Sequence, residues 1–425
     1  MQCRERGRRS EMARMVIKAG NFIDGKGNVE KNRALVIEGK YIKEVMSLEA
    51  LEVRPEDTVI DATDKTVMPG LIDCHVHTRS GGYPDERASA HTASVPDFTL
   101  RSLLNAQKDL EAGFTTIRDL ASIGFADVAL RDAFERGDFI GPRMRVAGHG
   151  LTMWGGHMHR NRGARPGLDT AETMGVVNTA DEAKAAARYQ ISRGVDFIKF
   201  NTAGSLRLED GSITIHQEMD YEMLAAAVAE AKKVEIMTAA HCHGGQGATD
   251  TIRAGVDTVE HGHFLTDEHM ALMLEHGTIF VPTLSPNEKL YEKGREALGG
   301  VWDRWEWLET VMEIKTDTLH RAIDAGIPVA AGSDVGTNYN HHGENAREME
   351  FMVLRGMTPM QAIVAMTATA ALATNLERWT GTLEPGKWAD VVVVEGNPLE
   401  DIKILNRAEN FLKVIKDGQV LIDRC

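Results

Sequence analysis

Short apolar runs rich in β-branched residues alternate with helical patterns through most of the chain, and this alternation constrains the fold more than any other feature. After "LIDCHVH" the strand-like runs are "GFTTIRDL", "RMRVAG", "VDFIKF", "EIMTAAHCH", "DTVEHGH", "TIFVPTL" and "IPVAAGSD". Segments such as "TADEAKAAARYQISRG" and "DYEMLAAAVAEAKK" lie between them with helical periodicity. Repeated βα units imply a parallel sheet, and eight of them close into a barrel. A chain of 425 residues has room for such a barrel and a smaller attached module. The expected fold class is α/β, with a (β/α)8 TIM-like barrel over residues 67–379.

The chain ends read differently. "MVIKAGNFIDG", "ALVIEGKYIKEV" and "TVIDATDKTVM" are short strands and turns, and "DVVVVEG" with "FLKVIKDGQVLID" repeats that character around an Asp417-Gly418 hairpin signal. Residues 13–66 and 380–425 are expected to build one β-module. The basic "RERGRRS" ahead of it lacks the roughly 7–15-residue apolar stretch of a secretory signal, so residues 1–12 read as a disordered tail. A net charge of −15 argues against nucleic acid as a partner, because phosphate backbones require clustered Lys and Arg. No run approaches the roughly 18 apolar residues of a membrane span. Cys3, Cys74, Cys242 and Cys425 show no CxxC spacing, which suggests neither a disulfide framework nor a thiolate zinc site and suits a reducing cytoplasm.

Residues with chemistry to offer sit at or near the ends of the apolar runs, where a barrel of this kind gathers its functional groups. In "MPGLIDCHVH" residues i and i+2 of an extended segment point the same way, so His75 and His77 can aim at one point. Lys199 lies in "VDFIKF", His241 follows "IMTAA", His261 follows "DTVE" and Asp334 follows "IPVAAGS". One histidine in such a place is ordinarily a satisfied core residue, and His243 competes with His241 for the same face. Several together in barrel order point to a metal. Lys199 stands between Ile198 and Phe200, where a lysine normally finds a partner or snorkels to water. Buried beside cations it would lose its proton. A neutral amine can capture carbon dioxide as a carbamate, whose two oxygens can bridge metals about 3.5–4 Å apart.

"PGLIDCHVH", "FIKF", "AAHCHG", "VEHGH" and "AAGSD", in this order, resemble the amidohydrolase superfamily, in its prolidase-like and imidazolonepropionase-like branch of metal-dependent hydrolases. The resemblance extends over nearly the whole chain from about Met15 and implies that both termini form a split β-sandwich. It implies His75, His77 and Asp334 as ligands of one metal, His241 and His261 as ligands of a second, and carbamylated Lys199 as the bridge. Mononuclear members lack this lysine, so Lys199 favours a binuclear site. Nitrogen and oxygen ligands suit zinc, with manganese or cobalt able to substitute.

The implied chemistry is attack of a metal-bridging hydroxide on a carbonyl, with Asp334 moving the proton to the leaving amine. "GHGLTMWGGHMH" offers His157 first and His149 second as donors to the developing oxyanion, with His159 and His243 as pocket walls. Arg118 in "TTIRDL" is a candidate for a substrate carboxylate, or else pairs with Asp119 as a buttress. Tyr339, His341 and His342 in "GTNYNHHGENAREMEFM" are candidate substrate contacts. "LGGVWDRWEWLETVMEIKTDTLHRAIDAG" reads as an amphipathic helix with solvated charges, and the methionines and tryptophans between Met270 and Trp307 read as packing. Neither a P-loop nor a serine nucleophile elbow is evident. The leading expectation is a binuclear zinc dipeptidase cleaving Xaa-Pro or Xaa-hydrophobic dipeptides. An amidase for N-acyl amino acids or amide-conjugated xenobiotics, a cyclic-amide hydrolase and a catalytically silent scaffold are the alternatives. The resemblance also implies a symmetric homo-oligomer.

Overall fold

A computed structural model of the chain describes residues 14–84, 93–159, 175–207, 212–298 and 302–424. The expected N-terminal tail, with Cys3, and the terminal Cys425 lie outside them. Strands β1 (Arg14–Ile23), β2 (Val29–Glu38), β3 (Tyr41–Ser47) and β4 (Thr58–Pro69) belong to the first module, followed by β5 (Leu71–Val76), β6 (Phe114–Asp119) and β7 (Arg143–Val146). Next come β8 (Phe197–Arg207), β9 (Ile213–Gln217), β10 (Met237–Gly244), β11 (Thr258–Phe264) and β12 (Ile279–Val281). The chain closes with β13 (Val391–Val394), β14 (Phe411–Lys416) and β15 (Gln419–Asp423).

The two chain ends pair into one seven-stranded sheet in the order β15-β14-β13-β4-β1-β2-β3. Strand alternation divides its side chains. Ile17, Phe22, Leu35, Val67, Val391 and Ile415 close a core of the module's own, while Ile23, Met68, Val392, Val394 and Val414 join the large core of the barrel. Gly113, at φ 91°, permits the close approach between them, because a Cβ there would meet the Phe411 ring at 2.2 Å.

The barrel closes through parallel pairings. β5-β6-β7 form one sheet and β12-β11-β10-β8 another, with β9 added as an antiparallel hairpin on β8. The eighth position is residues 328–335, the "PVAAGSDV" run, which hydrogen-bonds β12 through Phe280 and β5 through Cys74, His75 and His77. Residues 146–151 join β7 to β8 on the other side. Helices between the strands begin as their sequences require. Ser94 and Asp97 form a capping box before Val95–Glu111, Thr179 caps Ala180–Ser192, and Asp220 caps Tyr221–Lys233. Among the described residues no helix is long and apolar enough to cross a membrane.

Candidate metal centre

The strand ends surround a cavity of about 400 Å³ at the barrel mouth. His75 and His77 reach it from β5, Lys199 from β8, His241 and His243 from β10, His261 and His263 from β11, and Asp334 from the eighth position. Gly332 allows the last of these approaches, since a Cβ there would lie 2.7 Å from that of His75. His261, Thr283 and Asp334 are left-handed at φ 71°, 47° and 53°. Such backbone costs about 1–3 kcal/mol per non-glycine residue and persists only where the surroundings enforce it. Here the Asp334 amide donates to the His75 carbonyl at 2.7 Å, and Thr283 Oγ1 lies 2.6 Å from His261 Nδ1.

Asp334 Oδ1 lies 3.3 Å from His77 Nε2 and 3.6 Å from His75 Nε2. Ligand atoms held about 2.0–2.2 Å from one tetrahedral cation lie about 3.3–3.6 Å apart, so the spacing fits a shared metal. His75, His261 and Asp334 form a buried trio with ligand atoms within 4.8 Å of one another, a grouping that spans the two expected ligand sets. The His241 ring stands 4.5 Å from that of His261. Lys199 Nζ, His241 Nε2 and Asp334 Oδ1 are buried with no hydrogen-bond partner. Each orphaned group costs about 1–3 kcal/mol, and an imidazole nitrogen and a carboxylate oxygen left open beside a lysine that can form a carbamate make the residues fit a cation.

Protonation states agree with that fit. Burial pushes His77 down to about 4 and holds His241 and His261 well below the ordinary imidazole value, which leaves their lone pairs available. Burial also lowers Lys199 to about 8, against the opposing pull of Glu260. A neutral amine is therefore accessible near neutral pH, as carbamate formation requires. Burial opposes ionisation of Asp334, yet His75 and His77 hold its carboxyl below the usual range.

Beneath His75 lies a fully engaged ion pair. Glu260 Oε2 lies 2.9 Å from His75 Nδ1, which fixes the proton there and turns Nε2 towards Asp334. Glu260 Oε1 accepts from Arg118 at 2.8 Å and from Thr258 Oγ1 at 2.5 Å. Arg118 also donates to Thr258 Oγ1 and to the carbonyls of Cys74 and Ala373. Burial raises the cost of the Glu260 charge, but Arg118 and His75 outweigh it and bring its pKa to about 2. Arg118 is thus not a substrate contact. Its guanidinium is occupied beneath His75, and its partner is Glu260 rather than Asp119.

Three other expected contacts are also corrected. His342 is wholly buried, with Nδ1 2.8 Å from Asp109 and Nε2 3.2 Å from the His77 carbonyl, so it braces the His77 backbone instead of facing the cavity. Tyr339 lies just beyond the lining residues Thr337 and Asn338, with its amide on the Gly82 carbonyl. The His149 ring stacks on Phe125 at 4.3 Å, away from the cavity. His157 and His243 do line it. His157 stacks on His241 at 3.9 Å, with its amide held by Glu218, and His243 Nδ1 lies 2.7 Å from Ser205 Oγ. His159 and His341 serve as loop anchors, against Gly155 and Gly81.

Sequence reasoning did not single out Glu260, Arg79, His263, Asn287 or Lys315. His263 carried a readable signal, because it shares strand parity with His261. Lys315 did not. It sits on the helix Trp302–Ala325, whose charges read as solvated, yet it is buried in the cavity wall. Trp307 lines the same wall.

The sequence matches the model of the amidohydrolase family over residues 66–421. It is 32% identical over 428 residues to an ochratoxinase of Aspergillus niger, covering 95% of this chain and 86% of the relative. A crystallised Xaa-Pro dipeptidase with methionine in its active site superposes with a TM-score of 0.84 at 33% identity, covering 96% of this chain and 99% of the other. A prolidase complexed with N-methylphosphonate-L-proline gives 0.85 at 28% identity, covering 97% and 100%.

Proposed function

The chain belongs to the amidohydrolase family, and from that premise we propose that it is a binuclear metal-dependent hydrolase of amides formed on the amino group of an amino acid. The observation that carries this reading is the convergence of Lys199, Asp334 and four imidazoles on one cavity, with Lys199 Nζ, His241 Nε2 and Asp334 Oδ1 left without hydrogen-bond partners. His75, His77, Lys199 as its carbamate, His241, His261 and Asp334 would hold two divalent cations, zinc by the chemistry of the donors. Bound there, the cations would activate water at neutral pH and polarise the scissile carbonyl. Asp334, ionised and buried, accepts the proton of the attacking water and delivers it to the leaving amine. His157, which lines the cavity with its ring stacked on His241, supplies a donor for the carbonyl oxygen.

Between the two substrate classes the cavity favours N-acyl amino acids. A dipeptide brings a free ammonium, whose recognition in a desolvated pocket calls for a carboxylate. Among the described residues lining the cavity Asp334 is the one carboxylate, and it is engaged with the ligand set. The dipeptidase reading rests on the Xaa-Pro dipeptidase likeness, with Asn201, Asn338 or Thr337 as neutral acceptors. Buried, unpaired Cys74 and Cys242 suit a reducing compartment such as the cytoplasm. The test is amine release by zinc-reconstituted protein from Xaa-Pro and Xaa-hydrophobic dipeptides, each beside its N-acetylated counterpart. Faster turnover of the acetylated set supports the amidase. Faster turnover of the free set makes the protein a dipeptidase, and no turnover of either removes this substrate class.

A further inference from the structure

The cavity wall beyond the end of β12 carries a buried cation without a counter-ion. Lys315 is 3% exposed and lines the cavity. Its Nζ donates to the Thr283 carbonyl at 2.7 Å and to Asn287 Oδ1 at 3.0 Å. The third N–H has no acceptor, and no carboxylate lies within ion-pair distance, among the described residues. Glu348, the acid that most favours its charge, is occupied by the Leu284 and Ser285 amides and the Ser285 hydroxyl. Burial lowers the Lys315 amine to about 8 although Glu348 and Asp334 both favour its charge. Arg79, another cation of the lining, donates to the Ala121 carbonyl at 3.3 Å and favours the charge of buried Asp119, whose carboxyl burial raises to about 7.

An uncompensated buried ammonium is destabilising, and a cavity that keeps one is built for an anion. The position says which anion. Thr283 links Lys315 to His261, so a group on Nζ lies one residue from the metal ligands. The carboxylate of an amino acid stands just two covalent bonds from its amide nitrogen, which matches that proximity. Trp307 lies eight residues earlier on the same helix, about 12 Å along its axis, and Pro286 and Leu290 line the wall beside it. Resting on the amide-hydrolase reading above, we propose that Lys315, oriented by Asn287 and Thr283, binds the α-carboxylate of the leaving amino acid. The apolar surface of Pro286, Leu290 and Trp307 then takes its side chain, which makes large apolar residues the favoured leaving group.

The test is calorimetric binding of 3-phenylpropanoate and of 3-phenylpropanamide to the zinc-reconstituted protein, its Lys315→Met variant and its Asn287→Asp variant. The wild type is expected to bind the acid about 50-fold tighter than the amide, the scale of a desolvated charge pair. Lys315→Met should bring the two within about threefold. Asn287→Asp preserves shape and gives Lys315 a permanent counter-ion, so it should also abolish the preference. In turnover both variants should raise KM for carboxylate substrates more than they lower kcat. A preference for the acid that survives in both variants, or its absence from the wild type, overturns the assignment. Turnover and binding separate the two claims. Lys315-dependent binding without turnover of the amide panel keeps the carboxylate site and rejects the reaction, whereas turnover with unaltered binding in the variants does the reverse.

Discussion

The two ends of the barrel are both rich in charge, and they treat it in opposite ways. At the floor a cavity of about 330 Å³ is lined by Arg131, Arg143, Arg145, Asp196, Lys416 and Asp417 among others. There Arg143 is held by Asp390 at 2.6 Å, Asp417 at 2.9 Å and Thr116 at 3.0 Å, with Trp388 4.4 Å from its guanidinium carbon. Arg131 and Arg145 share Asp196. At the mouth Lys199, His241, Asp334 and Lys315 keep donors or lone pairs without partners. At the floor Arg143 fastens the terminal sheet to the barrel through Asp390 and Asp417, whereas at the mouth the open donors and lone pairs are the groups that the proposed metals and substrate would engage. The division follows the general asymmetry of such barrels, with stability at the strand N-termini and chemistry at the C-termini.

That contrast breaks most sharply at the mouth. Lys199→Ala is expected to lose bound metal and at least about 10³-fold in kcat/KM, with partial return of both when a short carboxylic acid is supplied. Asp334→Asn should lose activity on the same scale, measured by amine release. Among the described residues Lys199 Nζ has no hydrogen-bond partner, and Asp334→Asn keeps an amide oxygen that can face His75 and His77, so metal-free protein of either variant should melt within a few degrees of the wild type. A large loss of metal-free stability in Lys199→Ala would place that lysine with the floor residues.

His157→Ala should cost about 10²-fold in kcat while metal content stays at the wild-type level, because its expected role is to face the carbonyl oxygen. Glu260→Gln crosses the boundary between the two regimes. It weakens the hold on His75, lowering metal affinity by about 10–100-fold, and it leaves Arg118 buried against a neutral partner, at about 3 kcal/mol in chemical denaturation. Loss of one effect without the other would show that Glu260 serves only one of its two partners.

Asp390→Asn at the floor should lower stability by about 3 kcal/mol and leave kcat within twofold. The pH dependence has a definite sign. Burial opposes the Asp390 charge, but Arg143 and the Asp417 amide hold its pKa below the ordinary 3.8. The stabilisation is therefore present above pH 3.8 and disappears as pH falls through the lower folded value. The stability gap between wild type and Asp390→Asn should be constant from pH 5 to 7 and shrink below about pH 4.

What could be read in advance divides along the same line. Each of the eight barrel strands was visible as an apolar run, because burial on both faces leaves a continuous pattern, and the His75-His77 pair was visible because strand parity fixes direction. Side chains placed by tertiary packing were not. Arg118 reads as a substrate contact or as the partner of Asp119, yet neighbours on a strand face opposite ways, and its true partner lies on β11, 142 residues away. Lys315 gave no local sign because helix periodicity cannot say that a turn faces a cavity. His342 and Tyr339 share one loop, and only the fold decides that Asp109 draws the first inward. The antiparallel β9 hairpin on β8 was also missed, since its pairing lies outside the βα rhythm.

The most direct measurement is the metal content of purified protein by elemental analysis after zinc reconstitution, for the wild type and for Lys199→Ala. Two tightly bound zinc ions per wild-type chain, falling to one or none in Lys199→Ala with activity lost in parallel, is the predicted result. Two tightly bound ions and full activity in Lys199→Ala would contradict the bridging role of Lys199 and with it the binuclear centre at the barrel mouth.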